Sequence, residues 1–292
     1  MPLSSLAWFL EIPDQRCIDV LDRQNRMSAL DKTFLLDTVA PQYERDGIVF
    51  PIPVLKPEEI VAYRSAFEEL VAHLDTGIET VRWTHLFFRW AYELATHPAV
   101  VDAVQAILGQ EIFIRGTIIM CKQPHSPSYV SWHQDGAYAN VKASTALSAW
   151  IALTDSTVEN GCMRMILGSH REQHAHLNHP VRDNLLHKGQ EVQAVFDEAK
   201  AVDVTLKAGE MSLHHFNIIH GSNPNRSDDK RIGFVVRYVT ALGKEVGFPV
   251  IRVRGQGDCS HLELVKEPPS GSLKERIHAW QQHELQRQAM NP

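Results

Sequence analysis

The sequence predicts a mainly β protein with flanking helices, organised around a double-stranded β-helix, the cupin-like jelly roll. Three observations support this fold class: helical patterns come first, seven short strand-like runs follow them, and turn-forming residues separate those runs. With 292 residues and 44% hydrophobic content, the chain can bury the core of one elaborated barrel-type domain. We therefore expect residues 1–292 to form a single domain.

Helix signals flank the predicted barrel on both sides. Pro57 and Pro98 each begin a pattern in which apolar residues recur at helical spacing. These patterns predict a helical buttress at about residues 30–110. Near the other end of the chain, Ser272 and Glu275 have the spacing of a capping box, which predicts a terminal helix.

Short apolar or alternating runs predict the strands of the jelly roll at about residues 111–240. A polar, histidine-rich stretch at about residues 170–200 interrupts them, and we expect it to be an insertion that covers bound substrate. Residues 241–292 form a C-terminal extension that contains the capped helix. The predicted strands are residues 111–120, 130–135, 146–153, 162–167, 202–206, 211–215 and 232–239.

Composition excludes several classes of partner. The formal net charge of −6 offers no basic surface for nucleic acid or anionic lipid. No stretch approaches the roughly 20 apolar residues of a membrane span, and the N-terminus lacks a basic start. Cys17, Cys121, Cys162 and Cys259 lie far apart, as expected of reduced thiols rather than a zinc site or a disulfide framework. We expect a soluble cytoplasmic protein that acts on a small molecule.

One set of residues predicts a metal site. His133, Asp135 and His220 supply two imidazoles and one carboxylate, which can occupy one face of Fe(II) and leave the opposite positions open. On an extended segment, His133 and Asp135 would point to the same side and Gln134 away from it. His220 follows an apolar strand-like run, which places it at a strand end. Taken alone, buried histidines and a turn-capping aspartate would account for the same residues.

Arg231 is the candidate anchor for a carboxylate ligand. It heads an apolar strand pattern, and a guanidinium there can hold the distal end of a dicarboxylate through two parallel hydrogen bonds. The alternative is a pair with Asp228 or Asp229 at the surface, which would contribute little to stability. The position of Arg231 one step before an apolar run favours the interior role.

An ordered set of motifs surrounds these residues. The set comprises residues 122–124, 131–135, 147–155, 159–163, 168–170, 220–222 and Arg231. Together, over about residues 35–266, they resemble the phytanoyl-CoA dioxygenase family of Fe(II)/2-oxoglutarate oxygenases, and the residues after Arg231 are similar to those of bacterial members that modify small metabolites. This ordered set is far more specific than the short triplet that begins at His133.

The resemblance implies a jelly-roll fold and a role for each matching residue. His133, Asp135 and His220 would bind iron. Arg231 would bind the C5 carboxylate of 2-oxoglutarate, assisted by the hydroxyl of Ser222. The implied cofactors are Fe(II), the cosubstrate 2-oxoglutarate and O2.

The resemblance also implies a reaction. We expect hydroxylation of an unactivated C–H bond of a small polar metabolite, with release of succinate and CO2. Halogenases of the same family carry a small residue in place of the acidic ligand, so Asp135 argues against halogenation. Desaturation, cyclisation or another oxidative outcome on the same scaffold stays open.

Roles for the residues around the mouth of the predicted barrel are harder to assign. Lys122 is expected either to help bind 2-oxoglutarate or to solvate a strand end. Tyr138, Arg89, Asn217 and Arg237 are candidates for contact with substrate. Two other functions stay open: a cupin-type metalloenzyme without 2-oxoglutarate, and a non-catalytic jelly roll that binds a metabolite. The oligomeric state is also open.

Overall fold

The computed structural model describes residues 35–74, 78–137, 142–242 and 249–290; Cys17 and Tyr138 lie outside these ranges. Five α-helices lie within the described part of the chain. They are α1 (Ala40–Asp46), α2 (Pro57–Ala72), α3 (Arg89–Ala95), α4 (Pro98–Leu108) and α5 (Leu273–Met290). None of these helices combines the length and apolar character that a membrane crossing requires.

Antiparallel strands build three sheets in the same residues. The strands are β1 (Ile48–Pro53), β2 (Thr80–Arg82), β3 (Ile112–Lys122), β4 (Val130–His133), β5 (Ala146–Ala152), β6 (Met163–Met165), β7 (His176–Asn178), β8 (Gln190–Val192), β9 (Val202–Val204), β10 (Glu210–His215), β11 (His220–Ser222), β12 (Arg231–Val239) and β13 (Ile251–Arg254). The large sheet has the order β1-β10-β5-β12-β3-β13, with β2 also paired to β3. The small sheet has the order β4-β11-β6-β9, and β7 and β8 form a hairpin.

The large and small sheets face each other. Their inner faces share an apolar cluster to which Trp150 and Val235 come from the large sheet, and Met163 and Val204 from the small one. Two facing antiparallel sheets with crossing connections form the jelly roll, so the predicted fold class is confirmed.

The outer face of the large sheet packs against the helices. Ile119, Leu147 and Phe234 belong to the same buried cluster as Phe67 of α2 and Leu94 of α3. Because successive side chains of a strand point to opposite faces, the neighbours of these apolar residues point toward the small sheet. The helical buttress thus leaves the inner face of the large sheet free for polar residues.

The buttress and the C-terminal extension also contribute strands that the sequence patterns did not predict. β1 lies at the edge of the large sheet and contains Pro51 and Pro53, which are compatible with an edge position but argued against a strand. β2 and β13 both pair with β3. The predicted boundaries at residues 110 and 240 therefore do not separate the helices from the sheet.

The C-terminal helix forms with the predicted cap. The side chain of Glu275 accepts a hydrogen bond from the backbone N–H of Ser272 (2.8 Å). Trp280 on this helix donates its Nε1–H to the carbonyl of Arg82 (2.8 Å), which fastens α5 to β2. The helix therefore supports the strand that carries Arg82.

A buried hydrogen bond joins the buttress to the large sheet and yields a first prediction. The hydroxyl of Tyr238 donates to the carbonyl of Ala95 (2.6 Å), one of the last carbonyls of α3. Tyr238→Phe should lower the free energy of unfolding by about 1–3 kcal/mol, because it leaves this buried carbonyl without its partner. Tyr63→Phe, at a half-buried hydroxyl without a partner in the described residues, should change it by less than about 0.5 kcal/mol in the same denaturant titration. Equal losses in the two variants would contradict the assignment.

Candidate metal centre

His133 and His220 lie side by side on neighbouring strands of the small sheet. β4 and β11 are antiparallel neighbours in which His133 pairs directly with His220, and the two ring centroids lie 4.0 Å apart. Asp135 begins the short 3-10 turn that follows β4. One potential ligand atom from each of the three buried residues lies within 4.8 Å of the other two. The structure therefore brings together the three predicted metal ligands.

The turn, rather than the strand, places Asp135. β4 ends at His133, so the predicted extended segment from His133 to Asp135 is wrong in its last two residues. Gln134 still points away from the centre: its amide donates to the carbonyls of Glu172 (2.8 Å) and Asn217. These bonds hold the turn in place from behind, and they allow Asp135 to reach the same side as His133.

Both imidazoles present an unprotonated nitrogen to the centre. Nδ1 of His133 donates to the carbonyl of Ser131 (2.9 Å), and Nδ1 of His220 donates to that of Ile218 (3.0 Å). The opposite nitrogen, Nε2, is then free to bind a metal. Burial, with the help of neighbouring His220, lowers the pKa of His133 to about 3, and burial also lowers the pKa of His220. Both rings are therefore neutral near pH 7.

The carboxylate of Asp135 is held in its ionised form. Burial alone would raise its pKa, but the charge of Arg237 and the surrounding imidazoles outweigh burial and hold that pKa well below its usual range. Nη2 of Arg237 donates to Oδ1 (2.6 Å), and the hydroxyl of Ser148 donates to Oδ2 (2.8 Å). Two neutral imidazoles and an ionised carboxylate form a donor set that fits Fe(II).

A third histidine, which the sequence patterns did not single out, lies beside the centre. His214 on β10 is buried, with its ring centroid 5.1 Å from that of His220 and its Nε2 3.9 Å from Oδ2 of Asp135. Burial lowers the pKa of His214 to about 3. The predicted strand at residues 211–215 and its two-residue period were the available signal, but the chain contains 16 histidines and nothing distinguished this one.

A second polar cluster lies further along the inner face of the large sheet. Arg231 on β12 pairs in register with Lys122 on β3, and both side chains are buried. Nζ of Lys122 donates to Oγ of Ser222 (2.7 Å) and to the carbonyl of Asn223. Burial lowers the pKa of Arg231 to about 10 and that of Lys122 to about 6. The predicted surface pair of Arg231 with Asp228 or Asp229 does not form among the described residues.

The loop at residues 159–163 supports this cationic cluster. Gly161 has a φ of +76°, a conformation that glycine adopts readily, and its carbonyl accepts hydrogen bonds from Arg231 and Lys122. The side chain of Asn160 closes the loop by bonding the backbone of Thr157 (2.8 Å) and Asp155 (2.9 Å). The loop therefore gives two buried basic side chains a common backbone acceptor.

Trp150 forms the floor beneath Arg231. The guanidinium carbon of Arg231 lies 5.4 Å from the centroid of the indole ring. Gly233 makes room for this ring, because a β-carbon there would overlap it. Arg231 is therefore held between an aromatic face and a backbone carbonyl, while its Nε is buried without a hydrogen-bond partner in the described residues.

A cavity of about 200 Å³ connects the metal centre with the cationic cluster. Its lining comes from the inner faces of both sheets and from Leu186, His187 and Gln190 of the predicted insertion. The insertion therefore lies beside the mouth. Predicted site residues that line the cavity are His133, Asp135, His220, Ser222, Arg231 and Arg237.

Two predicted substrate residues, Arg89 and Asn217, do not line this cavity. Arg89 is a correction: its side chain is 60% exposed on α3 and pairs with Glu93 and Glu267 at the surface. Asn217 is a second correction, since it lies behind the metal centre, where its carbonyl accepts the amide of Gln134. Arg82 and Arg115, by contrast, line the cavity without having been predicted.

Comparison with known proteins finds relatives that are named dioxygenases. The chain is 29% identical over 205 residues to the probable alpha-ketoglutarate-dependent hypophosphite dioxygenase of Stutzerimonas stutzeri. This match covers 67% of this chain and 68% of the relative. It is 27% identical over 216 residues to the ectoine dioxygenase of Halomonas elongata, in a match that covers 65% of this chain and 65% of the relative. The second match thus spans slightly less than two thirds of the relative.

Solved structures show the same fold. The non-haem monooxygenase ThoJ in its apo form superposes with a TM-score of 0.69 at 29% identity, over 84% of this chain and 99% of ThoJ. The alpha-ketoglutarate-dependent carbocyclase SnoK from nogalamycin biosynthesis gives a TM-score of 0.57 at 26% identity, over 80% and 93%. A profile of the phytanoyl-CoA dioxygenase (PhyH) family matches residues 43–233. The chain therefore belongs to the phytanoyl-CoA dioxygenase family, a family of non-haem iron and 2-oxoglutarate dependent oxygenases.

Proposed function

We propose that this protein hydroxylates an unactivated C–H bond of a small polar metabolite, using Fe(II), 2-oxoglutarate and O2 and releasing succinate and CO2. The observation that carries the proposal is that one cavity joins a buried donor set of two imidazoles and a carboxylate to a buried arginine. Relatives named for hypophosphite and ectoine act on small molecules, which supports a small substrate here.

The chain's own residues provide binding and orientation. His133, Asp135 and His220 would hold the iron, and the iron with its 2-oxo acid and O2 would supply the oxidising chemistry. Arg231 and Ser222 would hold the distal carboxylate of 2-oxoglutarate. Arg231 suits this role because no carboxylate of the described residues pairs with it, so that its charge is available to a ligand.

Lys122 is proposed as the second anchor. Its ammonium group lies 2.7 Å from the Ser222 hydroxyl and directly opposite Arg231 in the register of β3 and β12. A carboxylate that reaches Ser222 would therefore interact with both basic side chains. This arrangement disfavours the cupin-type alternative without 2-oxoglutarate, because the buried guanidinium of Arg231, which lines the cavity, would then have no anion to bind.

A different oxidative outcome on the same scaffold is the second candidate. The similarity to a carbocyclase supports it, since that relative carries out a cyclisation on a similar fold. Placement of the substrate C–H bond relative to the metal would decide between hydroxylation and another product. Mass analysis of the product distinguishes them, because hydroxylation adds one oxygen atom and cyclisation removes two hydrogen atoms.

Anaerobic titration with Fe(II) and 2-oxoglutarate tests the proposal directly. We expect the weak visible charge-transfer band of an Fe(II)–2-oxoglutarate chelate, which should form with one equivalent of Fe(II) and one of 2-oxoglutarate per protein. Arg231→Lys should weaken 2-oxoglutarate binding about tenfold or more, because lysine lacks the planar fork that binds a carboxylate through two bonds. Iron binding itself should persist in that variant. Iron binding without any band in the wild type would favour an enzyme that uses no 2-oxo acid, and no iron binding would favour a non-catalytic protein.

Removal of the carboxylate of Asp135, the proposed acidic ligand, tests its role in metal binding. Asp135→Ala should weaken Fe(II) binding by at least about tenfold, because two imidazoles alone do not complete the facial donor set. The matched variant Asp203→Ala removes a half-exposed carboxylate on β9 and should bind Fe(II) as the wild type does. Both affinities can be measured by anaerobic equilibrium dialysis. Full iron binding and activity in Asp135→Ala would rule out this ligand.

Lys122 gives a pH-dependent prediction. Burial lowers its pKa to about 6, far below its usual value, so the free protein carries mostly the neutral amine at pH 7.5. A bound carboxylate would raise that pKa, so 2-oxoglutarate should bind with uptake of a proton and more tightly as the pH falls from 8 toward 6. Calorimetry in two buffers of different ionisation enthalpy measures this proton. Lys122→Met should abolish the uptake, whereas the same uptake in the variant would assign the proton to another group.

A further inference from the structure

The cavity carries more positive charge than the proposed cofactors require. Among the described residues that line it, four are arginines, Arg82, Arg115, Arg231 and Arg237, and one, Asp135, carries a carboxylate. The buried imidazoles of the site add no charge near pH 7, because their pKa values are lowered. The two charges of Fe(II) and the two charges of 2-oxoglutarate would offset each other. The described lining of the cavity therefore stays richer in basic than in acidic side chains when the proposed cofactors are bound.

The arginines lie at two separate places on the inner face. Arg231 and Arg237 occupy the same face of β12, six residues apart, which is roughly 20 Å along an extended strand. Arg231 would be occupied by the distal carboxylate of 2-oxoglutarate. Arg237, near the opposite end of the strand and in contact with Asp135, is too far away to share that group.

Arg82 and Arg115 lie near Arg237 on the neighbouring strands. In the register of the sheet, Arg237 pairs with Gly116 of β3, and Arg82 of β2 pairs with Ile118 on the other side of β3. The pairing of β12 with β3 then skips Arg115, which forms a β-bulge. The extra residue lets Arg115 line the cavity together with Ile118. Three guanidinium groups thus come from three adjacent strands.

The surroundings of Arg82 and Arg237 leave room for an anionic ligand. The charges that act on Arg82 are Glu284 of α5, which favours its charged form, and Arg237 and Arg287, which oppose it. Arg237 donates one Nη to Asp135, but its Nε is buried without a hydrogen-bond partner in the described residues. Glu284 also interacts with Arg287, and Asp135 belongs to the proposed metal site, so neither Arg82 nor Arg237 has an acidic group of its own among the described residues.

We infer that the substrate carries an acidic group, a carboxylate or a phosphonate, which binds between Arg82 and Arg237 while the rest of the molecule extends toward the metal centre. This inference rests on the proposed oxygenase function. Arginine suits the role because its fork matches the oxygen geometry of both groups. The acidic group would bind beside Arg237, and the adjacent C–H bonds would then lie next to Asp135 and the metal.

The test uses the full chain loaded with Fe(II) and 2-oxoglutarate in the absence of O2. Butanoate, propylphosphonate and the neutral butanamide serve as probes of similar size, and binding is followed by the unfolding temperature over a concentration series. We expect at least one of the two anions to bind about tenfold or more tightly than the amide. A preference for butanoate would identify a carboxylate substrate, and a preference for propylphosphonate would identify a phosphonate.

Variants locate the bound anion. Arg82→Gln should weaken binding of the preferred anion about tenfold while leaving Fe(II) and 2-oxoglutarate binding unchanged, because Arg82 contacts none of the proposed metal ligands. Arg82→Lys should restore part of the affinity. Arg64→Gln, which removes an exposed arginine paired with Glu68 on α2, is the matched control and should behave as the wild type does.

Two results would overturn the inference. One is an equal response to the anions and the amide in the wild type, including no response to any of them. The other is an anion preference that persists unchanged in Arg82→Gln. Failure of the proposed function has a different signature, because Fe(II) and 2-oxoglutarate would then fail to raise the unfolding temperature before any probe is added.

Discussion

The two-residue period of the large sheet is the constraint on which the site depends. On β12, Ile232 and Phe234 point outward into the apolar cluster beneath the helices, so the residues between and beyond them must point inward. Arg231 and Arg237 consequently enter the cavity from one strand. The same period turns Ser148 of β5 inward. Burial of the outer face thus determines which polar groups the cavity receives.

Burying these polar groups has a free-energy cost that the site offsets locally. A buried carboxylate such as Asp135 is stable only when hydrogen bonds and an opposite charge replace the lost water. Ser148 and Arg237 supply both. The imidazoles of His133 and His220 avoid the same cost by remaining neutral, which is also the form that binds a metal. The same neutral imidazoles and paired carboxylate therefore limit the cost of burial and provide the ligand atoms for a metal ion.

Sequence patterns predicted the parts of the site that follow from local periodicity and ordered motifs. Arg231 was predicted at the head of an apolar strand, and it begins β12. His220 was expected to follow the strand formed by the apolar run before it, but that strand ends at His215 and His220 begins β11. Asp135 was expected to continue a strand, but its position depends on a turn held by distant backbone carbonyls. Arg115 enters the cavity through a bulge, which no alternation pattern reveals. Arg89 has the same charge as Arg82, yet only the pairing of strands and helices shows which of them reaches the interior.

Gln134 connects the metal centre to the chain that surrounds its mouth. Its side chain bonds the backbone of Glu172, His174 and Asn217, while its own backbone N–H donates to Nε2 of His176. Its two sequence neighbours are proposed metal ligands. Hydrogen bonds through Gln134 thus connect the insertion to the proposed metal ligands. Evolutionary change in the length or shape of the insertion would therefore alter the metal environment together with access to it.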